Sequence, residues 1–553
     1  MSQNASRGAE NTINYGELRA LVVDDYPGMR SALKMTLSNF GITRIDLAGS
    51  ASEVIFKVSN GQYDVILCDF NLGEGRDGQQ LLEEVRHRGL ISLETVFIMV
   101  TAESLYEKVV ATAELAPDDY MIKPFSAEIL RNRLESILMK KRAFATAYRH
   151  YQAHELEAAI SACDQLIREQ PRYVVDALRF KGEVLNALGR FGEAEALYRQ
   201  VIEMRAIPWA RLGLARALHQ QKDAVQAEEI LLDVLDANPE LVAAYDLLAE
   251  TRLARKDTQG AQEASRKGVA ISGKTVRRQQ QLGSVALDNG DLDIAREAYG
   301  AVLEKGLNSV FVTPAGFGNL CREQVEQGDV TGALDTLKKG RTTLQATPEG
   351  QLVSAVVQSV AYARSGRTEE AQRALDEASR LRSQGTRGDE KLMLDMAGAC
   401  MAHGRHDDAD AILGEVARNA HDSEALLAKA RRLYEDSGRA DTGARVLAEA
   451  TADVRKLNNE AVLMVQKGEM AGAVERMLTA SRLAPYNTRI LLNGIWVILK
   501  HLEQAGLDHA LLDEANRLLG EAERQTPGHA RINGLRNQMR QVEARFGIRR
   551  RSA

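Results

Sequence analysis

Tyr63-Asp64-Val65-Ile66-Leu67-Cys68-Asp69-Phe70-Asn71-Leu72 decides how the front of this chain folds. Val65, Ile66 and Leu67 form a short apolar run that stops at Asp69, and the turn formers Asn71, Gly73, Gly75 and Gly78 follow. A buried strand that ends in an acid before a glycine-rich loop puts a carboxylate at the carboxyl edge of a sheet, where open α/β sheets bind their ligands. A solitary Asp there would only cap the turn, but Asp69 has companions. The apolar run Leu18–Val23 ends in Asp24-Asp25, Val96–Val100 ends in Thr101, and Asp119–Ile122 ends in Lys123-Pro124. Ile45–Ala48 is a further short strand. Helical spacing after Pro27, over Ser50–Ser59, Asp77–Arg88, Ser104–Leu115 and Ser126–Lys140 separates the strands. Strands alternating with helices imply a doubly wound parallel sheet with helices on both faces.

In a parallel sheet all these strand ends share one edge. Three carboxylates gathered there repel one another unless a cation joins them. Acids without His or Cys suit a hard, oxygen-seeking ion such as Mg2+. A lysine and a hydroxyl beside that ion can hold the oxygens of a transferred phosphoryl group. The chemistry therefore points to a carboxylate that accepts phosphate with Mg2+ assistance.

The 553 residues suffice for several domains, with 44% apolar and 27% charged residues and only 5% aromatics. The net charge of -6 argues against a surface built for nucleic acid or anionic membrane. No apolar run approaches the ~20 residues that span a bilayer, and the polar stretch Met1–Tyr15 has no apolar core of a secretion signal. Cys68, Cys163, Cys321 and Cys400 lie far apart without metal-type spacing, as expected of reduced thiols in a cytoplasmic protein.

Asp24-Asp25, Asp69, Thr101-Ala102 and Lys123-Pro124-Phe125, in that order, resemble the receiver domain of two-component response regulators, an α/β flavodoxin-like fold. The resemblance covers about the first quarter of the chain. It implies that Asp69 is the phosphoacceptor, taking phosphate from a histidine kinase or phosphotransfer protein. It implies Mg2+ at Asp25, Asp69 and the backbone carbonyl of Asn71, with Asp24 contributing through water. Lys123 would bind a phosphoryl oxygen and Thr101 would move toward it. Tyr120 is either the aromatic switch that turns inward with Thr101 or a partly exposed strand tyrosine. Asn71 and Glu103 occupy the positions that tune self-dephosphorylation, and the pair resembles that of fast-cycling chemotaxis-type receivers. The usual Met-Pro after the acceptor is replaced by Leu72-Gly73-Glu74-Gly75, which puts in doubt partner contacts inferred from that loop.

Behind this domain a small residue recurs at Ala159, Ala194, Ala227, Ala261, Ala295, Ala333, Ala371, Ala409, Gly443 and Ala473, at spacings of 35, 33, 34, 34, 38, 38, 38, 34 and 30. Five positions earlier most have a glycine, from Gly189 to Gly468, although Lys222 and Lys256 stand at two of these turns. Four positions later comes a larger, mostly apolar residue such as Tyr198, Leu231 or Leu413. Periods of this length mean stacked repeats whose hairpins bury their apolar faces collectively. The pattern resembles the tetratricopeptide repeat, with Leu282-Gly283, Gly290-Asp291, Ala295 and Tyr299 nearest to its consensus. The resemblance implies an all-α superhelix (solenoid) whose concave face binds a peptide or partner helix. His403 and His406 near Asp407, Asp408 and Asp410 are expected to be a solvated turn. Trp496, in the apolar run Ile490–Leu499, is expected in buried helix or groove.

The expected organisation is a disordered N-terminus over 1–16, a receiver over 17–141, repeats over 142–487, and capping helices with a basic tail over 488–553. Arg545, Arg549, Arg550 and Arg551 form that tail, read as a solvated terminus before a nucleic-acid contact. The expected function is a phosphorylation-dependent response regulator with a protein-binding output; the alternative is a phosphate relay or sink whose repeats dock the donor. No enzymatic output motif is readable. Expected partners are the phosphodonor and a downstream protein, with homodimerisation open.

Overall fold

The computed structural model describes residues 13–73, 76–102, 117–204, 207–272, 275–306, 314–526 and 530–548. Strands β1 (Arg19–Val23), β2 (Arg44–Ala48), β3 (Val65–Asp69), β4 (Val96–Thr101) and β5 (Asp119–Ile122) form one parallel sheet in the order β2-β1-β3-β4-β5. The central strands read as continuous apolar runs because both their faces are covered. Helices α1 (Pro27–Asn39), α2 (Ala51–Asn60), α3 (Gly78–His87) and α4 (Ala127–Gln152) follow strands β1, β2, β3 and β5. Leu33 and Leu37 of α1 and Leu130, Leu134 and Leu138 of α4 pack on Val22, Leu67, Ile98 and Met121. Val54 of α2 and Leu81, Leu82 and Val85 of α3 pack on the opposite face, against Leu21, Ile66 and Phe97. Local chemistry starts each helix: Pro27 occupies the first turn of α1, the Ser50 hydroxyl accepts from Glu53 N, and Asp77 and Gln80 form a reciprocal capping box. The helix expected over Ser104–Leu115 lies outside the described residues.

The sequence leaves almost no break between the helix Ser126–Lys140 and the first repeat at Arg142, and in the structure there is none: α4 runs on to Gln152 with no Gly or Pro to end it. Its buried positions are Leu130, Leu134 and Leu138, then Lys141, Phe144 and Ala147. The first three face the sheet; Phe144 packs instead on Tyr173 and Ala177 of the next helices. The apolar stripe thus changes partner along one unbroken helix, and the boundary expected after Lys141 falls inside it.

The chain forms two compact units. One holds the described residues up to Asn186 and from Arg190 to Gly306, and the other holds Ala187–Gly189 and the described residues from Pro314 onward. In both, helix pairs follow one another. Each of the ten recurring small residues is the fourth residue of its helix, from Ala159 in α5 (Leu156–Glu169) to Ala473 in Met470–Leu483. Nine are alanines with no exposed surface, and the tenth, Gly443, is buried. The larger residues four positions on are buried too, among them Tyr198, Tyr299, Leu375 and Leu413. A helix pair closes where the small residue lets the partner approach, and the larger one fills the space beyond. Two of the irregular spacings have a visible cause: a short extra helix, Arg341–Gln345, lies in one 38-residue interval, and Ala440–Lys467 runs 28 residues without a break where the spacing shrinks to 30.

The turn five residues before each small residue needs a left-handed backbone. Gly290, for example, has φ 74°. Where glycine is missing the fold still imposes this geometry: His154, Lys222 and Lys256 have φ of 57°, 68° and 65°. An L side chain pays for that conformation in steric strain of roughly 1–2 kcal/mol, partly offset by glycine's greater freedom when unfolded. Lys222→Gly is therefore expected to raise stability by about 1 kcal/mol, seen as a higher urea midpoint; an unchanged or lower midpoint contradicts this account of the turn.

Candidate functional site

Parallel pairing sets the strand ends side by side. Val23 pairs with Ala48 and with Cys68, Asp69 with Val100, and Thr101 with Ile122. The residues at or just past these ends, Asp24, Asp25, Asp69, Thr101 and Lys123, therefore meet at one edge. The Lys123 Nζ donates to Asp69 Oδ1 at 2.9 Å and to Asp24 Oδ2 at 3.1 Å. Asp24 is almost fully buried, its other carboxylate oxygen accepting from Tyr26 N at 2.9 Å, whereas Asp25 is exposed at the mouth. One oxygen from each of Asp24, Asp25 and Asp69 lies within 4.8 Å of the others, the one such grouping of potential metal ligands among the described residues.

Burial pushes the Asp69 carboxyl above its ordinary range; Lys123 pulls the other way and Asp24 adds to the rise. For Lys123 burial disfavours the charged form, yet the hydrogen bonds it donates to Asp69 and Asp24 outweigh it and hold the ammonium above its ordinary value. Asp69 thus sits half withdrawn from water with Lys123 as its cationic partner. Three carboxylates with one open side and no His or Cys among them fit a small hard cation.

The loop carrying Asn71 is closed at its base by Gly78 N donating to Phe70 O at 2.8 Å. A Cβ on Gly78 would lie 2.4 Å from Asp69 O, so helix α3 can begin this close to the acid only with glycine. Asn71 is exposed and Thr101 is buried at the end of β4. Tyr120 is turned inward among Phe97, Met99 and Leu82, with its hydroxyl 3.5 Å from Gln79 Oε1, and burial pushes that hydroxyl's pKa up. Glu103 and residues 74–75 of the Leu72-Gly73-Glu74-Gly75 loop lie outside the described residues.

One cluster was not anticipated from the sequence. Asp118, just ahead of β5, exchanges two hydrogen bonds with Phe97: its N donates to Phe97 O and its Oδ2 accepts from Phe97 N, both at 2.8 Å. Its other oxygen pairs with Lys141 Nζ at 2.7 Å, and that ammonium also donates to Leu93 O at 2.6 Å. Burial lowers the Lys141 pKa, and Asp118 opposes this. Farther along α4, Arg149 approaches Glu94 at 3.7 Å and Gln152 accepts from the Ser92 hydroxyl at 3.0 Å. Phe144, Tyr148 and Tyr151 on α4 pack with Phe180 on α6 (Val174–Leu188) at ring distances of 6.4, 5.0 and 5.5 Å. The sheet edge, α4 and the first helix pair are thus joined through buried groups. The one sequence signal for this is an acid placed directly before a buried strand.

A response regulator receiver domain is matched over residues 20–135. A chemotaxis protein CheY from Pseudomonas aeruginosa is 30% identical over 120 residues, which are 22% of this chain and 95% of that protein. The chain belongs to the response-regulator family. A chemotaxis protein CheY-3 from Vibrio cholerae is 28% identical over the same length, 22% of this response regulator and 91% of that protein. Tetratricopeptide repeats are matched over residues 144–208, 185–250 and 352–377. A tetratricopeptide repeat protein from Parabacteroides merdae is similar to 44% of this regulator and 92% of its own chain, at 14% identity and a TM-score of 0.30. The regulator therefore joins a five-stranded receiver to tetratricopeptide repeats, and receivers of this family are phosphoacceptors rather than conventional enzymes. Among its described residues no helix is long and apolar enough to cross a membrane.

Proposed function

We propose that this response regulator takes a phosphoryl group onto Asp69 from a histidine kinase or phosphotransfer protein and reports it as altered protein binding by its repeats. The observation that carries this is the half-buried Asp24–Lys123–Asp69 arrangement beside an open acidic mouth. An Asp69 carboxylate oxygen forms the new bond to phosphorus; the phosphorus–nitrogen bond of the donor histidine breaks, and its electron pair returns to the imidazole. Asp25, Asp69 and the Asn71 carbonyl would hold Mg2+, with Asp24 acting through water, and the ion would offset the charge of the entering phosphoryl group. Lys123 stays close enough to follow a phosphoryl oxygen, and Thr101 supplies a hydroxyl at the neighbouring strand end. Asn71 and Glu103 are the residues expected to set the lifetime of the acyl phosphate.

The modified side chain carries about -1.5 to -2 charges. Lys123 is drawn from Asp24 toward it, and β5 lies between Asp118, just ahead of it, and Lys123, just past it. A shift of β5 therefore reaches Lys141 and α4, which continues into the first helix pair. That clasp favours an output role for the repeats over mere docking of the donor. Coupling of a typical 1–3 kcal/mol would change partner affinity about 5- to 150-fold. Incubating the protein with Mg2+ and acetyl phosphate should give one hydroxylamine-sensitive phosphoryl group per chain, and EDTA should abolish it. Labelling that ignores EDTA, or its absence with Mg2+ present, overturns the proposal.

A further inference from the structure

Arg30 is the fourth residue of α1 and stands five positions past Asp25. Its Nη1 donates to the main-chain oxygen of Asp24 at 2.5 Å and to that of Asp25 at 3.1 Å. Carboxylates are the stronger acceptors for a guanidinium. Yet among the described residues Arg30 forms no ion pair, although two of the three clustered acids supply the carbonyls it holds. The fold also makes room for this contact. Gly49 follows Ala48, whose oxygen accepts from Asp24 N at 3.2 Å, and a Cβ on Gly49 would stand 3.2 Å from the same Nη1.

The turn that Arg30 grips carries Asp24 and Asp25 from the end of β1 into α1. Tyr26, at the cap of α1, offers no capping side chain. Asp24 is tied within the turn, since its Oδ1 accepts from Tyr26 N at 2.9 Å. The Asp25 side chain is exposed and has no hydrogen bond among the described residues, so the backbone alone sets where it points. Backbone dihedrals decide the direction in which a side chain leaves the chain, and a carbonyl held in place fixes one of them. Two carbonyls held on one nitrogen therefore fix the relative directions of Asp24 and Asp25.

We propose that Arg30 is a positioning residue for the cation site: its grip on the Asp24 and Asp25 carbonyls holds both acids at the spacing a hard divalent ion requires. The inference rests on the reading of these acids as a Mg2+ site and adds a residue that touches neither the ion nor the phosphoryl group. Two effects of the guanidinium oppose each other. Its charge repels an incoming cation, so by charge alone its removal would tighten binding. Its grip orders two ligands before the ion arrives, so by positioning its removal weakens binding. Mg2+ demands near-ideal octahedral geometry, and the open mouth lets water and salt screen the charge, so positioning prevails.

Mn2+ takes the same oxygen ligands as Mg2+, and paramagnetic resonance of the free ion gives its affinity for the full chain. Arg30→Met keeps the apolar stem, removes the donor and should raise the Mn2+ dissociation constant about tenfold. Arg30→Lys returns a donor and should stay within about threefold of the parent. Labelling by acetyl phosphate separates placement from chemistry: the Met variant should need about tenfold more Mg2+ for half its maximal rate, with that maximal rate within about threefold of the parent. Should the Met variant not fold, Arg30→Gln, whose amide falls short of the carbonyls, carries the same expectations. Unchanged or tighter Mn2+ binding in the folded variant overturns the inference. So does a Lys variant as weak as the Met variant, or a maximal rate that falls while the Mg2+ requirement stays fixed. A parent chain that binds no Mn2+ overturns the Mg2+ reading and this inference together, whereas a parent that binds and variants that bind alike remove only the role of Arg30.

Discussion

Asp69→Asn should take no phosphoryl label from acetyl phosphate or from a phosphorylated histidine donor, at least a hundredfold less than the parent protein. An amide oxygen is a poor nucleophile, and an amide supplies no anionic ligand to a cation. The fold should survive. Asn nearly matches Asp in shape, and burial already disfavours the Asp69 charge. Lys123 keeps its contact with Asp24 at 3.1 Å. Unfolding of the variant should therefore stay within about 1 kcal/mol of the parent. Intact mass spectrometry with peptide mapping reads the label, and a label retained elsewhere in the variant would show that the acceptor is misassigned.

The second large effect is expected at the clasp between the receiver and the repeats. Asp118→Ala removes the carboxylate partner of Lys141, which keeps a neutral acceptor in Leu93 O, and the acceptor of Phe97 N. Loss of one partner of a buried ion pair typically costs 3–5 kcal/mol, most of it from the charge left behind. The double change Asp118→Leu with Lys141→Met removes both charges of this pair and should recover part of that stability, since apolar replacement of a buried pair is often neutral, whereas the Arg86 guanidinium, 3.9 Å from Asp118, loses this carboxylate in both variants. The rescued protein should still accept phosphate at Asp69. Its partner affinity should no longer respond, because β5 and α4 are then joined without the directional pair. Urea unfolding gives the stability, and binding with and without beryllofluoride gives the coupling. A single variant as stable as the parent contradicts the energetic account, and a double variant that still responds contradicts the route.

The acid edge was legible because each relevant residue ends an apolar run, so one dimension of sequence fixes its place on a parallel sheet. Asp24, Asp25, Asp69, Thr101 and Lys123 meet as their positions required. The ten repeat positions were legible for a similar reason: the small residue is always the fourth in its helix, and at most of them a larger apolar or aromatic residue follows one turn on. The continuation of α4 was harder to see, because its stripe switches from sheet to repeats without any break residue. His154, Lys222 and Lys256 concealed left-handed turns behind side chains that seldom adopt them. The Asp118–Lys141 pair had only one faint signal, an acid directly before a buried strand, since the pairing itself depends on where a helix lies relative to a strand. Trp496 sits in a run of apolar residues that reads as buried all round, but the helix turns it to the outside.

The most direct test of the central claim, that the state of the acid pocket is felt by the repeats, is hydrogen exchange of the full chain with Mg2+, before and after beryllofluoride. Protection should change in β4, β5 and the second half of α4, and also in α5 and α6. A change confined to residues ahead of Lys141, with α5 and α6 exchanging at identical rates in both states, would contradict it.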